Sequence, residues 1–159
     1  MSNSIKLLGC AVALLLSSSI YAGDIQIENA WARATAPGQD SAMVDLTITS
    51  KRAATLVSIS STASKTVELH SMTHENGMMK MREVKTMALP AGKPINLGER
   101  GYHLMLIGLN APLKAGENVL LTLGIQVDGQ AMLKVETKAV VQPLTAAMPQ
   151  GNGHMQHRH

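Results

Sequence analysis

Four side chains in the middle of the chain have the types and spacing of a soft-metal site: His70, Met81, His103 and Met105. Ten residues separate His70 from Met81, and 21 separate Met81 from His103. A single residue, Leu104, lies between His103 and Met105. Imidazole with thioether favours copper(I), whereas zinc usually takes thiolate, imidazole or carboxylate, and calcium or magnesium takes oxygen ligands. The donor set therefore predicts copper(I) as the first candidate.

The dipeptide Asn76–Gly77 predicts the turn of a β-hairpin. A hairpin centred there pairs Met72 with Met81 and His70 with Glu83. Cross-strand partners share a face of the hairpin, so Met72 becomes a secondary candidate ligand beside Met81. The side chains expected on this outer face are His70, Met72, His74, Met79 and Met81.

The strand predicted at Tyr102–Leu109 carries the other two donors. His103 and Met105 are two residues apart and therefore project to the same side, while Leu104 and Leu106 project to the opposite side, expected to be the core. Two strands thus each present an imidazole and a thioether on a face away from the core. A His-x-Met pair or a Met-rich hairpin is also typical of packing, so spacing alone leaves that alternative open.

Methionine is abundant in the chain, with 11 residues, and phenylalanine is absent. The flexible thioether side chain fills irregular core volume. We therefore expect most of the remaining methionines to be core residues, including Met43, Met87 and Met132.

Residues 1–22 predict a secretory signal peptide cut near Ala22, which indicates an exported protein. The apolar run Leu7–Leu16 is shorter than the roughly 20 residues of a membrane-spanning helix, so no membrane anchor is expected after cleavage. Leu7–Cys10 is similar to a lipoprotein cleavage site, but the apolar run follows Cys10 and disfavours lipidation. Cleavage removes the only cysteine, which excludes a blue-copper or thiol–disulfide site.

Residues 23–142 predict a single all-β domain. Eight or nine short strands, separated by turn residues at roughly 8–12-residue spacing, favour an antiparallel β-sandwich or barrel. Within the segment Ser41–Ser50, apolar side chains alternate with mostly polar ones, which indicates a half-buried strand. Without the signal, 13 basic and 11 acidic side chains leave a net charge of +2, which argues against nucleic acid as a partner.

Residues 143–159 predict a flexible tail. Imidazoles at its end suit copper(II), the form that an oxidising compartment supplies, and the alternative is a solvated tail that binds metal weakly. The secondary metal ligands expected here are His154, Met155, His157 and His159.

The four central donors fit the His-x10-Met-x21-His-x-Met pattern of PCu(A)C, a family of periplasmic copper(I) chaperones that the chain resembles from residue 25 to 141. The resemblance implies a cupredoxin-like, Greek-key β-sandwich that binds one copper(I) through these four side chains. It also implies delivery of copper toward the Cu(A) centre of cytochrome c oxidase, often alongside a thiol-bearing copper chaperone. The segments similar to the family are Asn29–Ala34, Pro37–Gly38, Val67–His70, Met79–Arg82 and Gly101–Leu106.

We therefore expect a monomeric copper chaperone and not an enzyme. Three alternatives stay open. The first is a periplasmic copper buffer or resistance protein with the same site but no dedicated recipient. The second is a copper oxidase or monooxygenase built on His70 and His103, although such sites usually have more histidine ligands and an open position for oxygen. The third is a β-sandwich whose Met-rich face binds protein without metal.

Overall fold

The computed structural model describes residues 22–98, 101–127 and 132–145. Within these ranges a short 3-10 turn at Ala22–Asp24 is followed by ten strands. No helix there is long and apolar enough to cross a membrane. The strands are β1 (Ile25–Arg33), β2 (Ser41–Ser50), β3 (Ala54–Ser61), β4 (Ser64–Glu75), β5 (Met78–Glu83), β6 (Met87–Leu89), β7 (Ile95–Leu97), β8 (Tyr102–Leu109), β9 (Asn118–Val127) and β10 (Met132–Gln142).

The strands form one hydrogen-bonded sheet in the order β5-β4-β8-β2-β1-β10-β9-β3-β6, with β7 paired to β2. Every described pairing is antiparallel except that of β1 with β10, where Trp31 lies opposite Val140 in a parallel ladder. The expected all-β fold is confirmed, and this one parallel pair departs from the antiparallel pairing that the strand pattern favours. The whole domain lies between β1 and β10 in sequence, and a connection of that length permits parallel pairing, which a tight turn cannot.

Strands from both ends of the sheet order contribute to one hydrophobic core. Leu46 on β2, Leu104 on β8 and Leu123 on β9 are fully buried members of the same cluster. The predicted alternation of β2 is confirmed, because its residues from Ala42 to Ile48 are buried at every second position. Side chains at the intervening positions project to the opposite face of the sheet.

The methionines divide differently from the sequence-based expectation. Met87 is buried, as predicted, but Met43 is 42% exposed and Met132 is also exposed, so the prediction of a core position was wrong for both. On β2 the buried neighbours Ala42 and Val44 occupy the core side, and strand geometry then forces Met43 outward. Strand alternation thus overrides the apolar character of the side chain.

Candidate metal centre

The hairpin of β4 and β5 has the predicted register, with Met72 opposite Met81 and His70 opposite Glu83. Its turn residues Asn76 and Gly77 have φ angles of 52° and 79°. Two consecutive positive φ values are what a type I′ turn requires, and Asn-Gly is the dipeptide that adopts them most readily. Local turn chemistry therefore sets which side chains share the outer face of the hairpin.

Strand β8 lies along the other side of β4 and places the two histidines together. His70 is directly opposite His103, and Glu68 is directly opposite Met105. Directly opposed residues have Cβ atoms about 4.5–5.5 Å apart, so the two imidazoles start from neighbouring positions. Leu104 is fully buried, which confirms that its neighbours in β8 project to the outer face.

The four predicted ligands therefore lie on one face of three adjacent strands, but they are not equivalent. His70, His103 and Met105 lie on the directly paired strands β4 and β8. Met81 lies on β5, beyond β4, and is 49% exposed. It is diagonal to His70, because its direct partner is Met72. Two imidazoles and one thioether thus form the compact part of the site, and Met81 approaches from the edge of the sheet.

The imidazole of His70 is held in a way that suits a metal ligand. Its Nε2 lies 2.7 Å from Oε2 of Glu68, and the His70 side chain is 17% exposed. A carboxylate oxygen accepts hydrogen bonds, so Nε2–H is the donor to Glu68, and the Nδ1 atom of that tautomer has a lone pair available for a metal ion. That Nδ1 is buried and has no hydrogen-bond partner within the described ranges. Carboxylate-held imidazoles with one free nitrogen are the usual form of metal-binding histidine.

Two residues of this face were not identified as site residues from the sequence. Glu68 precedes His70 by two positions and therefore shares its face, a signal that strand alternation alone could have supplied. Met43 on β2 is directly opposite Met105, and its Sδ lies 3.2 Å from Nδ1 of His103. Alternation predicts the outward direction of Met43, but only the strand order reveals that β2 adjoins β8.

The remaining candidates lie farther out or outside the described residues. At the end of the hairpin, His74 Nδ1 is 3.2 Å from Met79 Sδ, and both side chains are exposed. Every residue of β5 is exposed, so this edge of the site is open to solvent. No group of three or more His, Cys, Asp and Glu side chains within the described ranges is arranged to hold a metal ion. The tail candidates His154, Met155, His157 and His159 lie outside the described residues.

Comparison with known proteins gives both a family and a fold. The family model described as "Putative lipoprotein LpqE-like" matches residues 25–137. A protein of Leifsonia xyli subsp. xyli named "Putative lipoprotein Lxx21020" is 36% identical over 121 residues, which cover 74% of this chain and 73% of that protein.

Solved structures with this arrangement of strands include copper proteins. Apo-DR1885 from Deinococcus radiodurans has a TM-score of 0.55 at 27% identity, covering 90% of this chain and 94% of that one. The copper(I) form of DR1885 has a TM-score of 0.54 at 28% identity, with coverage of 72% and 75%. The apo PCuAC domain of PmoF2 has a TM-score of 0.61 at 22% identity, with coverage of 78% and 94%. The chain therefore has the cupredoxin-like β fold of PCuAC domains, as predicted.

Proposed function

This chain belongs to the LpqE-like family, and we propose that it is an exported copper chaperone that binds copper(I) and passes it to another protein. The observation that carries the proposal is the buried Nδ1 of His70, which has no hydrogen-bond partner in the described part of the chain; the ring is held by Glu68 and lies directly opposite His103. An unpaired buried nitrogen is unfavourable unless a ligand uses it. The copper(I)-bound relative DR1885 supports copper as that ligand.

The donors on this face suit copper(I) as cargo. Copper(I) has a filled d shell and imposes little geometry, so the strand positions of His70, His103, Met105 and Met81 can set the coordination. Thioether sulfur is a soft ligand that stays unprotonated and stabilises the reduced ion. The site needs no cysteine, which is consistent with function in an oxidising compartment.

The unequal exposure of the ligands suggests an order for transfer. Met81 is half exposed on an open edge strand, whereas His70 is largely buried. A ligand of the recipient can therefore replace Met81 first, while His70, His103 and Met105 still hold the ion. Exchange of one ligand at a time avoids release of free copper. The protein acts in this scheme as a carrier and not as an enzyme.

The recipient and the compartment follow from resemblance. The PCu(A)C pattern supports delivery toward the Cu(A) subunit of cytochrome c oxidase, alone or with a thiol-bearing copper chaperone. The family description and the name of the Leifsonia relative both contain the term lipoprotein, which supports an exported protein. Delivery is measured by mixing the copper(I)-loaded protein with an apo Cu(A) domain, separating the two and determining the copper content of each. Copper that stays with this protein would favour a buffer.

The core site is tested by anaerobic copper(I) titration together with X-ray absorption at the copper edge. We expect mixed nitrogen and sulfur scattering, and weaker copper(I) binding in Met81→Ala and His103→Ala with circular dichroism unchanged. Met132→Ala, which removes an exposed methionine of β10, is the matched control. Unchanged copper(I) affinity in both site variants would contradict the proposal.

The C-terminal tail is assigned a separate role, the capture of copper(II) by its imidazoles. A chain ending at Thr145 lacks His154, His157 and His159, and should lose copper(II) binding but keep copper(I) binding in the core. Copper(II) binding that is unchanged by this truncation would exclude the role.

A further inference from the structure

We propose that Met43 is a further copper(I) ligand, which binds the ion beside His103 and Met105 in the wild-type protein and retains it when Met81 is displaced. The inference rests on the proposed function and adds a sulfur that the His-x10-Met-x21-His-x-Met pattern does not contain. It gives the site three thioethers instead of two. The ion then has an inner position, at β8 and β2, and an outer one, at β4 and β5.

The first argument is the distance between Met43 Sδ and His103 Nδ1, which is 3.2 Å. Metal–nitrogen and metal–sulfur bonds of about 2.0 and 2.3 Å at a tetrahedral angle place the two donor atoms about 3.5 Å apart. The observed separation is therefore close to that of two atoms that bind the same ion. A shift of a few tenths of an ångström is within the reach of the flexible methionine side chain.

The second argument is register. Met43 and Met105 are directly opposite in the β2–β8 ladder, so both thioethers project from the same face next to His103. Met81 is separated from His103 by the whole of β4. Met43 is thus a nearer neighbour of the β8 donors, by strand position, than one of the four ligands that the sequence pattern implies.

The third argument is the kind of residue that occupies this position. The other outward positions of β2 are Ser41, Asp45, Thr47 and Thr49, all of them polar. Met43 is the one apolar side chain among these five positions of β2, and it is 42% exposed. A large exposed thioether contributes little to the core on the opposite face. Binding a soft metal gives this side chain a role that burial does not.

The consequence for transfer is that copper(I) keeps four ligands when Met81 leaves. Met43 completes a set of two imidazoles and two thioethers with His70, His103 and Met105. The recipient thus exchanges with a four-coordinate ion at one edge, and the opposite edge of the site retains it.

The test counts sulfur ligands by X-ray absorption of copper(I)-loaded variants. Leucine replaces methionine with nearly the same volume, so the fold is expected to tolerate the changes. Met81→Leu alone should keep two sulfur scatterers, Met105 and Met43. Adding Met43→Leu should leave one sulfur and weaken copper(I) binding about tenfold or more relative to Met81→Leu. Adding Met72→Leu instead should leave two sulfurs, because Met72 is paired with Met81, and on its other side its backbone N–H donates to Gly101 O, just before β8 begins, so that it is not directly opposite either β8 donor.

The outcomes separate this inference from the proposed function. A wild-type protein that binds copper(I) without sulfur scattering would overturn both. Two results, each with normal copper(I) binding by the wild-type protein, would overturn the role of Met43 alone. One is a single sulfur scatterer in Met81→Leu. The other is loss of the second sulfur when Met72→Leu is added to Met81→Leu. Methyl NMR of the wild-type protein gives an independent measurement that does not depend on folding of the variants. The Met43 methyl signal should shift in the same copper(I) step as that of Met105, and a Met43 signal that does not move would refute the assignment.

Discussion

Replacing Glu68 by alanine should weaken copper(I) binding by changing the state of His70 and not by removing a ligand. The carboxylate of Glu68 lies 2.7 Å from His70 Nε2 and fixes the proton there. Without it, the ring can carry its proton on Nδ1 or rotate toward solvent. Either change disturbs the arrangement in which Nδ1 keeps a free lone pair, so the free energy of copper binding must then include restoring that arrangement of the ring.

The expected size follows from other carboxylate-held histidines. Loss of such a partner typically lowers metal affinity about 10- to 100-fold, which corresponds to about 1.4–2.8 kcal/mol. The effect on folding should be smaller. Glu68 is partly exposed, and a solvent-screened pair of this kind contributes about 0–1 kcal/mol to stability. Copper affinity should therefore change much more than the free energy of unfolding.

The assay is anaerobic competition with a chromogenic copper(I) chelator, combined with nitrogen-15 NMR of the His70 ring to identify the protonated nitrogen. Glu83→Ala is the matched control, because Glu83 lies opposite His70 on β5 but its carboxylate contacts Lys85 Nζ at 2.6 Å. Glu83→Ala removes the same charge and should leave both the tautomer and the affinity near wild type. Equal affinities for Glu68→Ala, Glu83→Ala and the wild type, in folded protein, would refute the reasoning.

Three further substitutions test the scaffold that positions the site. Leu104→Ala removes a fully buried side chain between the two β8 donors and should destabilise the domain by about 2–5 kcal/mol in urea unfolding, and a loss below 1 kcal/mol would contradict the core assignment. The added methyl group of Gly77→Ala meets no atom, but alanine is forced to a φ of +79°. Thermal unfolding should therefore show a loss of stability of about 1–2 kcal/mol, and unchanged stability would exclude the assigned turn. Gly98→Ala places a methyl group on the carboxylate of Asp45 at a φ of +156°, so crowding and backbone strain should lower stability by about 1–3 kcal/mol in chemical unfolding. A neutral result would contradict the assigned position of Gly98.

The hairpin shows how far local sequence reasoning extends. Asn76–Gly77 specifies the turn, the turn specifies that Met72 faces Met81, and the structure has this register. The same period-two logic separates His103 from the buried Leu104 on β8. These features depend on neighbours within a few residues, so the chain encodes them without reference to the rest of the fold.

Contacts between strands that are distant in sequence could not be predicted from local sequence patterns. Nothing local indicates that β2 lies beside β8, and therefore that Met43, expected in the core, reaches His103 across 60 positions of sequence. The parallel pairing of β1 with β10 was missed for the same reason. Strand order depends on how the whole set of apolar faces is buried in one core, which no single segment specifies.

By itself, then, the sequence determined the types of donor, the face on which each lies and the hairpin that joins two of them, because turn chemistry and strand alternation are local. Only the tertiary structure decided that His70 lies directly opposite His103, that Nδ1 of His70 is buried with no partner among the residues described, and that the sulfur of Met43 adjoins the site. Those facts require β4, β8 and β2 to be adjacent. That adjacency is stabilised by the shared core on the opposite side of the sheet and not by the site residues themselves.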